Sequence, residues 1–298
     1  MFTLHPGITH SLPEGYPIHA QVEADSINDR DCRLTTLSLY YPRYIHQELM
    51  THRVFSRNAS SSRAIPTKKI IQAANDQFVM PSRWGVNQAG MQPGQANLSP
   101  EDQAKAEAIW RRMADECMKG ALELAELGVH KQWCSRPVEW FSTIRVVVTA
   151  TQSAWEGFFL LRDHPAAQDE IVHLARSIKE AMNVSSPKRL KVGEYHLPFI
   201  SDSDKTIPVE DQLKVSAARC ARVSYKTFDG KVSSLEEDLL LCSKLTHDFE
   251  GDDPAHMSPF EHQARNLLSG EAFGSLSGNF DGSWVQWRKE LEMQAYGP

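Results

Sequence analysis

The hydrophobic pattern along the 298-residue chain switches period several times, and each switch predicts an element. "PIHAQVEADSI" alternates polar and apolar positions and predicts a strand. "RLTTLSLYY" (33 to 41) is rich in β-branched and aromatic residues and predicts a second. Pro42 then looks like a first-turn helix residue. Ile45, Leu49 and Val54 form a helical stripe after it. Arg57 to Ala64 reads as a loop, because serine and asparagine side chains compete for the backbone groups a helix needs. Residues 81 to 98, rich in Gly, Pro, Asn and Gln, predict a long loop of the kind that is functional or mobile.

The clearest helix opens at Ser99-Pro100-Glu101, runs to about Leu127 and stops at Gly128. For "FSTIRVVVTATQSAWEGFFLLR" pattern alone allows strand or helix. "AAQDEIVHLARSIKEAM" is amphipathic, with Ile171, Leu174, Ala175, Ile178 and Met182 on one face. "VGEYHLPFI" is a short extended segment, and "DQLKVSAARCARVSY" a helix. Ser234 with Glu237 forms a capping-box pattern, and so does Ser258-Pro259 with Glu261. There are no repeats and no low-complexity linker. The expected fold class is mixed α/β (α+β) in a single catalytic domain over 1-298. It comprises an N-terminal segment (1-33), a part with the Arg/Ser loop and helices (34-200), and a C-terminal part (201-298).

Composition narrows the function. The net charge of -6 argues against a polynucleotide partner, which needs a basic face. No apolar run approaches the ~18 residues of a membrane span, and no basic-then-apolar leader opens the chain. The expected location is cytoplasmic. Five cysteines (Cys32, Cys117, Cys134, Cys220 and Cys242) are widely spaced with no CxxC. They predict neither a disulfide framework nor a metal site. Cys134 has no local nucleophile signature. Neither GxGxxG nor GxxxxGK[ST] occurs, so no Rossmann or P-loop site is expected. Trp133, Trp140, Trp155, Trp284 and Trp287 read as core rather than ligand stackers.

Against that acidic background "ELMTHRVFSRNASSSRAIP" (48 to 66) is a local exception. Arg53, Arg57 and Arg63 stand among five serines and threonines with no carboxylate after Glu48. Arginine forks and hydroxyls match phosphate oxygens, although scattered arginines on an exposed loop would look the same. The neighbouring Arg53 disfavours a charged His52, which leaves a neutral ring able to donate one hydrogen bond. Arg162 reads either as a ligand-facing cation or as a salt-bridge partner of Asp163 or Glu170, and Arg136 is similar. In "HMSPFEH" (256 to 262) the capping box leaves His256 and His262 unexplained, at a spacing unlike HExxH.

Together these pieces resemble the flavin-dependent thymidylate synthases. That family carries Arg-His-Arg, then seven residues and Ser. Here Thr51-His52-Arg53 is followed by seven residues, Ser61, and Arg63 two further on. "HMSPFEH", "CARVSY" ending at Tyr225, and Arg162 followed by "AQDEI" match three further family segments. The ARVSY-like and SPFEH-like segments come after the Arg-His-Arg segment rather than before it, so the order resembles a circular permutation. The tail "SGNFDGSWVQWRKELE" then stands where the family leads into its Arg-His-Arg strand. Residues 66 to 100 have no counterpart.

The resemblance implies an antiparallel-rich sheet packed by helices. It implies transfer of a methylene from methylenetetrahydrofolate to C5 of dUMP, completed to a methyl with FAD and NADPH. It implies a homotetramer with sites shared between subunits, and nucleotide and folate as partners, without metal or membrane. By motif match His52, Arg53, His256, Ser258 and Glu261 would contact flavin. Glu48, Ser61, Arg63, Arg136 and Arg162 would contact nucleotide, with Ser61 and Arg63 on the phosphate and Arg162 on the uracil edge. His52, Ser61 and Arg162 would be the catalytic set. Thr51, Ala59, Glu48 and Gly157 depart from the family's Arg, Glu, Gln and Asn. A glutamate in place of glutamine exchanges donors for acceptors, which keeps a dCMP methylase or a hydroxymethylase open. A catalytically silent nucleotide binder is the reading from another class.

Overall fold

The structure is a computed structural model that describes residues 1–7, 11–94, 96–225, 233–246, 256–268, 275–280 and 284–296. The main sheet has the order β3-β4-β2-β1-β5, formed by β1 (His19–Ile27), β2 (Arg33–Pro42), β3 (Ser56–Ala59), β4 (Thr143–Thr151) and β5 (Lys188–Arg189). Its neighbours are antiparallel except β1 and β5. A smaller antiparallel sheet, β6-β7-β8, is formed by Tyr195–His196, Ala264–Asn266 and Trp284–Gln286. The nine helices of the described residues are α1 (His46–Met50), α2 (Thr67–Asp76), α3 (Pro100–Glu126), α4 (Lys131–Cys134), α5 (Gln152–Arg162), α6 (Asp169–Val184), α7 (Val209–Tyr225), α8 (Leu235–Thr246) and α9 (Trp287–Tyr296). The expected mixed, antiparallel-rich class is what the chain adopts.

Strand alternation assigns the two faces of the main sheet. Leu37, Leu39 and Tyr41 of β2 and Val146, Val148 and Ala150 of β4 enter one core with Trp155 and Phe158 of α5. The predicted face of α6 joins them: Ile171, Leu174, Ala175, Ile178 and Met182 are all fully buried. The opposite positions, Thr36 and Thr149, are register partners and are also fully buried. The C-terminal part covers that side, where α7 and the helical turn Ser258–Glu261 pack on β3.

Several expectations change. The ambiguous segment is both strand and helix, β4 followed by α5. The loop expected from Arg57 contains β3, whose Ser56 to Ala59 pair with Val146 to Thr149. The ladder outweighs the polar side chains, and Asn58 turns its amide away to donate to the Cys220 carbonyl at 2.6 Å. Pro42 ends β2, and the helical run starts one residue later. Loop 81–98 is fastened down: Arg83 Nε meets Asp169 at 2.7 Å, and the Ser82 hydroxyl donates to Glu170 at 2.7 Å. Trp155, Trp284 and Trp287 are buried, but Trp133 and Trp140 are 62% and 57% exposed. Both lie on short helical runs where their neighbours Cys134 and Phe141 take the inward positions. The α3 caps agree with the sequence: Ser99 accepts from the Asp102 amide at 3.1 Å, and Gly128 takes φ +81°, the left-handed conformation a helix C-terminus favours. Ser234 and Glu237 form the reciprocal capping box expected of α8.

Candidate active site

Two short runs bring the first cluster together. Ile45 and Leu49 bury completely and anchor α1, which leaves Glu48, Thr51 and His52 at the rim. Trp155, Phe158 and Phe159 sink α5 into the same core, so Arg162 at its C-terminus reaches α1. There every Arg162 nitrogen is used. Nε donates to His52 Nε2 at 3.0 Å, Nη1 to Glu48 Oε2 at 3.1 Å, and Nη2 to the Thr51 hydroxyl at 2.9 Å and the Glu48 carbonyl at 3.3 Å. The alternative partners fall away: Asp163 is held by Arg176 and Lys179, and Glu170 accepts from Ser82 and Gln168.

A guanidinium can only donate, so His52 Nε2 must accept and its proton sits on Nδ1. Burial lowers the His52 pKa to about 4, and the charges of Arg162 and Arg57 reinforce it. The ring is neutral, as expected, but for another reason: Arg53 is exposed, and the ring accepts from Arg162. Phe55 stacks on it at 5.6 Å and Phe158 meets it edge-on at 4.8 Å. Burial raises the Glu48 carboxyl above its ordinary range, the Arg162 charge offsets part of that, and Glu170 adds to it.

The second cluster surrounds the serine loop beyond β3. The Ser60 amide donates to the Arg145 carbonyl of β4 at 2.8 Å, and the Ser60 hydroxyl accepts from the Arg145 amide at 3.1 Å. Ser62 donates to Glu139, which also takes Arg136 Nη1 at 3.1 Å. Lys131 Nζ caps the Ala64 carbonyl at 2.9 Å. Arg43 reaches the Ser60 carbonyl at 3.3 Å, yet its Nε is buried without a partner among the described residues. Burial pulls the Arg43 pKa down. Arg63 is exposed, and among the described residues only its backbone amide is bonded, to Ser61 Oγ at 3.3 Å. Arg43, Lys131 and Glu139 were missed by sequence reasoning. Only the three-residue spacing of Arg136 and Glu139 signals any of them.

The HMSPFEH segment contributes a third group. Ser258 to Glu261 form a single helical turn capped by Met257 with no side-chain cap bond, so the expected capping box does not form. The Ser258 hydroxyl instead donates to Asn58 Oδ1 at 3.2 Å, and Glu261 is taken by Arg288. Burial raises the Glu261 carboxyl, against the pull of Arg288 and Arg57. His256 is exposed, whereas His262 is fully buried.

The fold therefore unites Glu48, Thr51, His52 and Arg162, and separately Ser61, Arg63 and Arg136. The four residues of β3 stand between these groups, roughly 13 Å at 3.3 Å per residue. Ser258 docks on β3 itself. Cys134 is buried and its thiol faces the Val129 carbonyl at 3.2 Å. No group of metal-ligating side chains occurs among the described residues, and none of their helices is long and apolar enough to cross a membrane.

No curated protein matches the chain. Among solved structures it is similar to a UMP/dUMP methylase, PolB, from Streptomyces cacaoi bound with 5-Br UMP. The TM-score is 0.47 and the identity 15%, with 56% of this chain and 89% of that chain covered. The same enzyme bound with 5-Br dUMP gives a TM-score of 0.43 at 20% identity, with 50% and 66% covered. The family model of the thymidylate synthase complementing protein matches residues 33–188. That range holds Glu48, His52, the serine loop, Arg136 and Arg162, and stops short of CARVSY and HMSPFEH. It spans more than half of the chain, which accordingly belongs to the thymidylate synthase complementing protein family.

Proposed function

We propose that the chain is a flavin-dependent thymidylate synthase that methylates dUMP at C5 with methylenetetrahydrofolate as the carbon donor and NADPH as the reductant. The observation that carries this reading is the convergence of Arg162 on Glu48, Thr51 and His52, more than a hundred positions away, within the matched segment.

The donor set fits an anionic planar cofactor. The Arg53 guanidinium has no ion-pair partner among the described residues. His52 offers a neutral ring stacked by Phe55 and met edge-on by Phe158, and Ser258 and Glu261 sit on a turn that docks on β3, the strand that carries the half-buried Arg57. FAD would be held by His52, Arg53, His256, Ser258 and Glu261, and when bound it supplies the hydride. The chain's own residues do the rest. Ser61, Arg63 and Arg136 take the nucleotide phosphate through charge-assisted bonds. Glu48 and Arg162 face the base, the carboxylate accepting and the guanidinium donating. His52 holds Arg162 in place by accepting from Nε, which fixes the direction of the remaining guanidinium bonds.

The separation of the two nucleotide-facing clusters by β3 supports sites shared between copies in a homotetramer. The docking of Ser258 on Asn58, 200 positions away, supports a permuted order: the fold restores the adjacency that the chain order removes. A second reading rests on Glu48. A carboxylate beside a guanidinium satisfies uracil through its N3–H and a carbonyl, and cytosine through its amino group and N3. Mass spectrometry of nucleotide products, with dUMP and dCMP competing under anaerobic conditions, tests both. Thymidylate alone is expected. A modified cytosine or a hydroxymethyl product moves the assignment to the second reading. No product with either base, from protein that retains flavin, rejects both and leaves a silent binder.

A further inference from the structure

Behind the main sheet lies a buried polar chain that neither cluster uses. Ser26 Oγ is 2.9 Å from His196 Nδ1. His196 Nε2 is 2.8 Å from Thr36 Oγ1. Thr36 Oγ1 is 2.6 Å from Thr149 Oγ1, and Thr149 Oγ1 is 2.8 Å from His262 Nδ1. Four of the five residues are fully buried and Ser26 is 5% exposed. The far end is blind: His262 Nε2 is buried with no partner among the described residues. The near end is open, because Ser26 lines a cavity of about 400 Å³ with Asp25, Lys188, Tyr195, Lys205 and Gln212.

Counting hydrogens restricts what this chain can do. Burial lowers the His196 pKa to about 4 and the His262 pKa to about 3, so both rings are neutral and each carries one N–H. Three hydroxyls and two rings bring five hydrogens to four links. One hydrogen is therefore left over, and it stands at one end or the other. If it stands at His262, Nε2 is an N–H in a closed space and every bond points from Ser26 inward. If it stands at Ser26, the hydroxyl points into the cavity, every bond is reversed, and both rings carry their hydrogen on Nδ1. A mixed arrangement would place two hydrogens, or none, between some pair of atoms 2.6 to 2.9 Å apart.

We infer that Ser26, His196, Thr36 and Thr149 are positioning residues that act as one proton-ordered unit and set the tautomer of His262, the residue that closes the HMSPFEH turn. A buried N–H without an acceptor is rarer and costlier than a bare acceptor, so the chain rests with both rings Nδ1–H and the Ser26 hydroxyl facing the cavity. An occupant of that cavity that accepts from Ser26 holds this order. One that donates to Ser26 reverses all four bonds and changes the face that His262 presents beside Glu261. No net charge changes in the reversal: the three hydroxyls rotate to their other neighbour, and each ring loses its Nδ1 hydrogen to solvent and regains one at Nε2 during transient opening, so the hydrogen count is the same in both orders. The inference stands on the hydrogen count and not on the reaction proposed above.

The test is nitrogen-15 NMR of the histidine rings in the full chain at neutral pH. Both His196 and His262 are expected neutral and in the Nδ1–H form. Ser26→Ala removes the acceptor at the open end and is expected to shift the tautomer ratio of His262, four links away, along with that of His196. Thr149→Val is expected to uncouple His262 alone, and Thr149→Ser to restore it. Opposite tautomers in the wild type, a charged ring at neutral pH, or a Ser26→Ala response confined to His196 would each overturn the inference. The wild-type spectrum decides even if a variant does not fold.

Discussion

The cluster around Arg162 and the loop around Arg63 are both arginine sites, and they are opposites. Arg162 is partly buried and spends every nitrogen on its own chain. Arg63 is exposed, and its guanidinium is bonded to nothing among the described residues. One is oriented by its own chain, with its charge already paired to Glu48, half-enclosed where Coulomb attraction is strong. The other is exposed, its charge screened by solvent. The same residue type is therefore pre-oriented at one end of β3 and left exposed at the other.

The largest expected effect of a single substitution breaks this comparison at the exposed arginine. Arg63→Ala removes charge-assisted bonds of about 1.5–3 kcal/mol, so nucleotide affinity falls by roughly 10- to 150-fold. Stability stays within about 0.5 kcal/mol. Isothermal titration and urea unfolding check the two halves, and unchanged affinity would remove Arg63 from the phosphate. Arg162→Ala should show the reverse emphasis. It leaves Glu48 half-buried and His52 Nε2 without a donor, at a cost of about 1–3 kcal/mol of stability. A variant as stable as the parent would mean that the enclosed pair contributes nothing.

Acid sharpens the contrast. His46, His52 and His196 have their pKa lowered to about 4 and His262 to about 3, chiefly by burial. The unfolded rings titrate near 6.5, so between pH 6.5 and 4 the unfolded chain binds protons that the fold refuses. Stability is full above pH 6.5 and falls as pH drops through that window. Each fully buried ring contributes a slope of about 1.4 kcal/mol per pH unit there. A urea midpoint that stays flat from pH 7 to 5 would contradict the burial of these rings. The smallest effect belongs to Glu48→Gln. It keeps a hydrogen bond to Arg162 and loses only the charge, about 1 kcal/mol or less, while the ratio of uracil to cytosine turnover should move. An unmoved ratio would take Glu48 away from the base.

The apolar periodicity made α6 legible, because all five named residues answer to one buried face. The α3 boundaries were legible because Ser99 and Gly128 have local reasons to be there. β3 was not, because its reason is distant: a polar tetrapeptide becomes a strand when β4 offers an open edge. The capping box at Ser258 failed in the same way, with Asn58 and Arg288 outbidding the local bonds. The site shows the same division. The motifs single out His52, Arg162, Ser61 and Arg63 as candidates, but Glu48 as the partner of Arg162 required knowing which helices meet. Arg43 and Lys131 carry no local mark at all.

The long reach of β3's contacts also has a meaning in time. Ser56 Oγ accepts from Gln286 Nε2 across 230 positions. A chain emerging at about 5–20 residues per second makes Ser56 wait roughly 10–50 s for that partner. Throughout that interval the Ser56 hydroxyl lacks this partner, with the serine loop attached to its strand. Birth order, more than packing, then decides how long the growing chain must be kept from its neighbours.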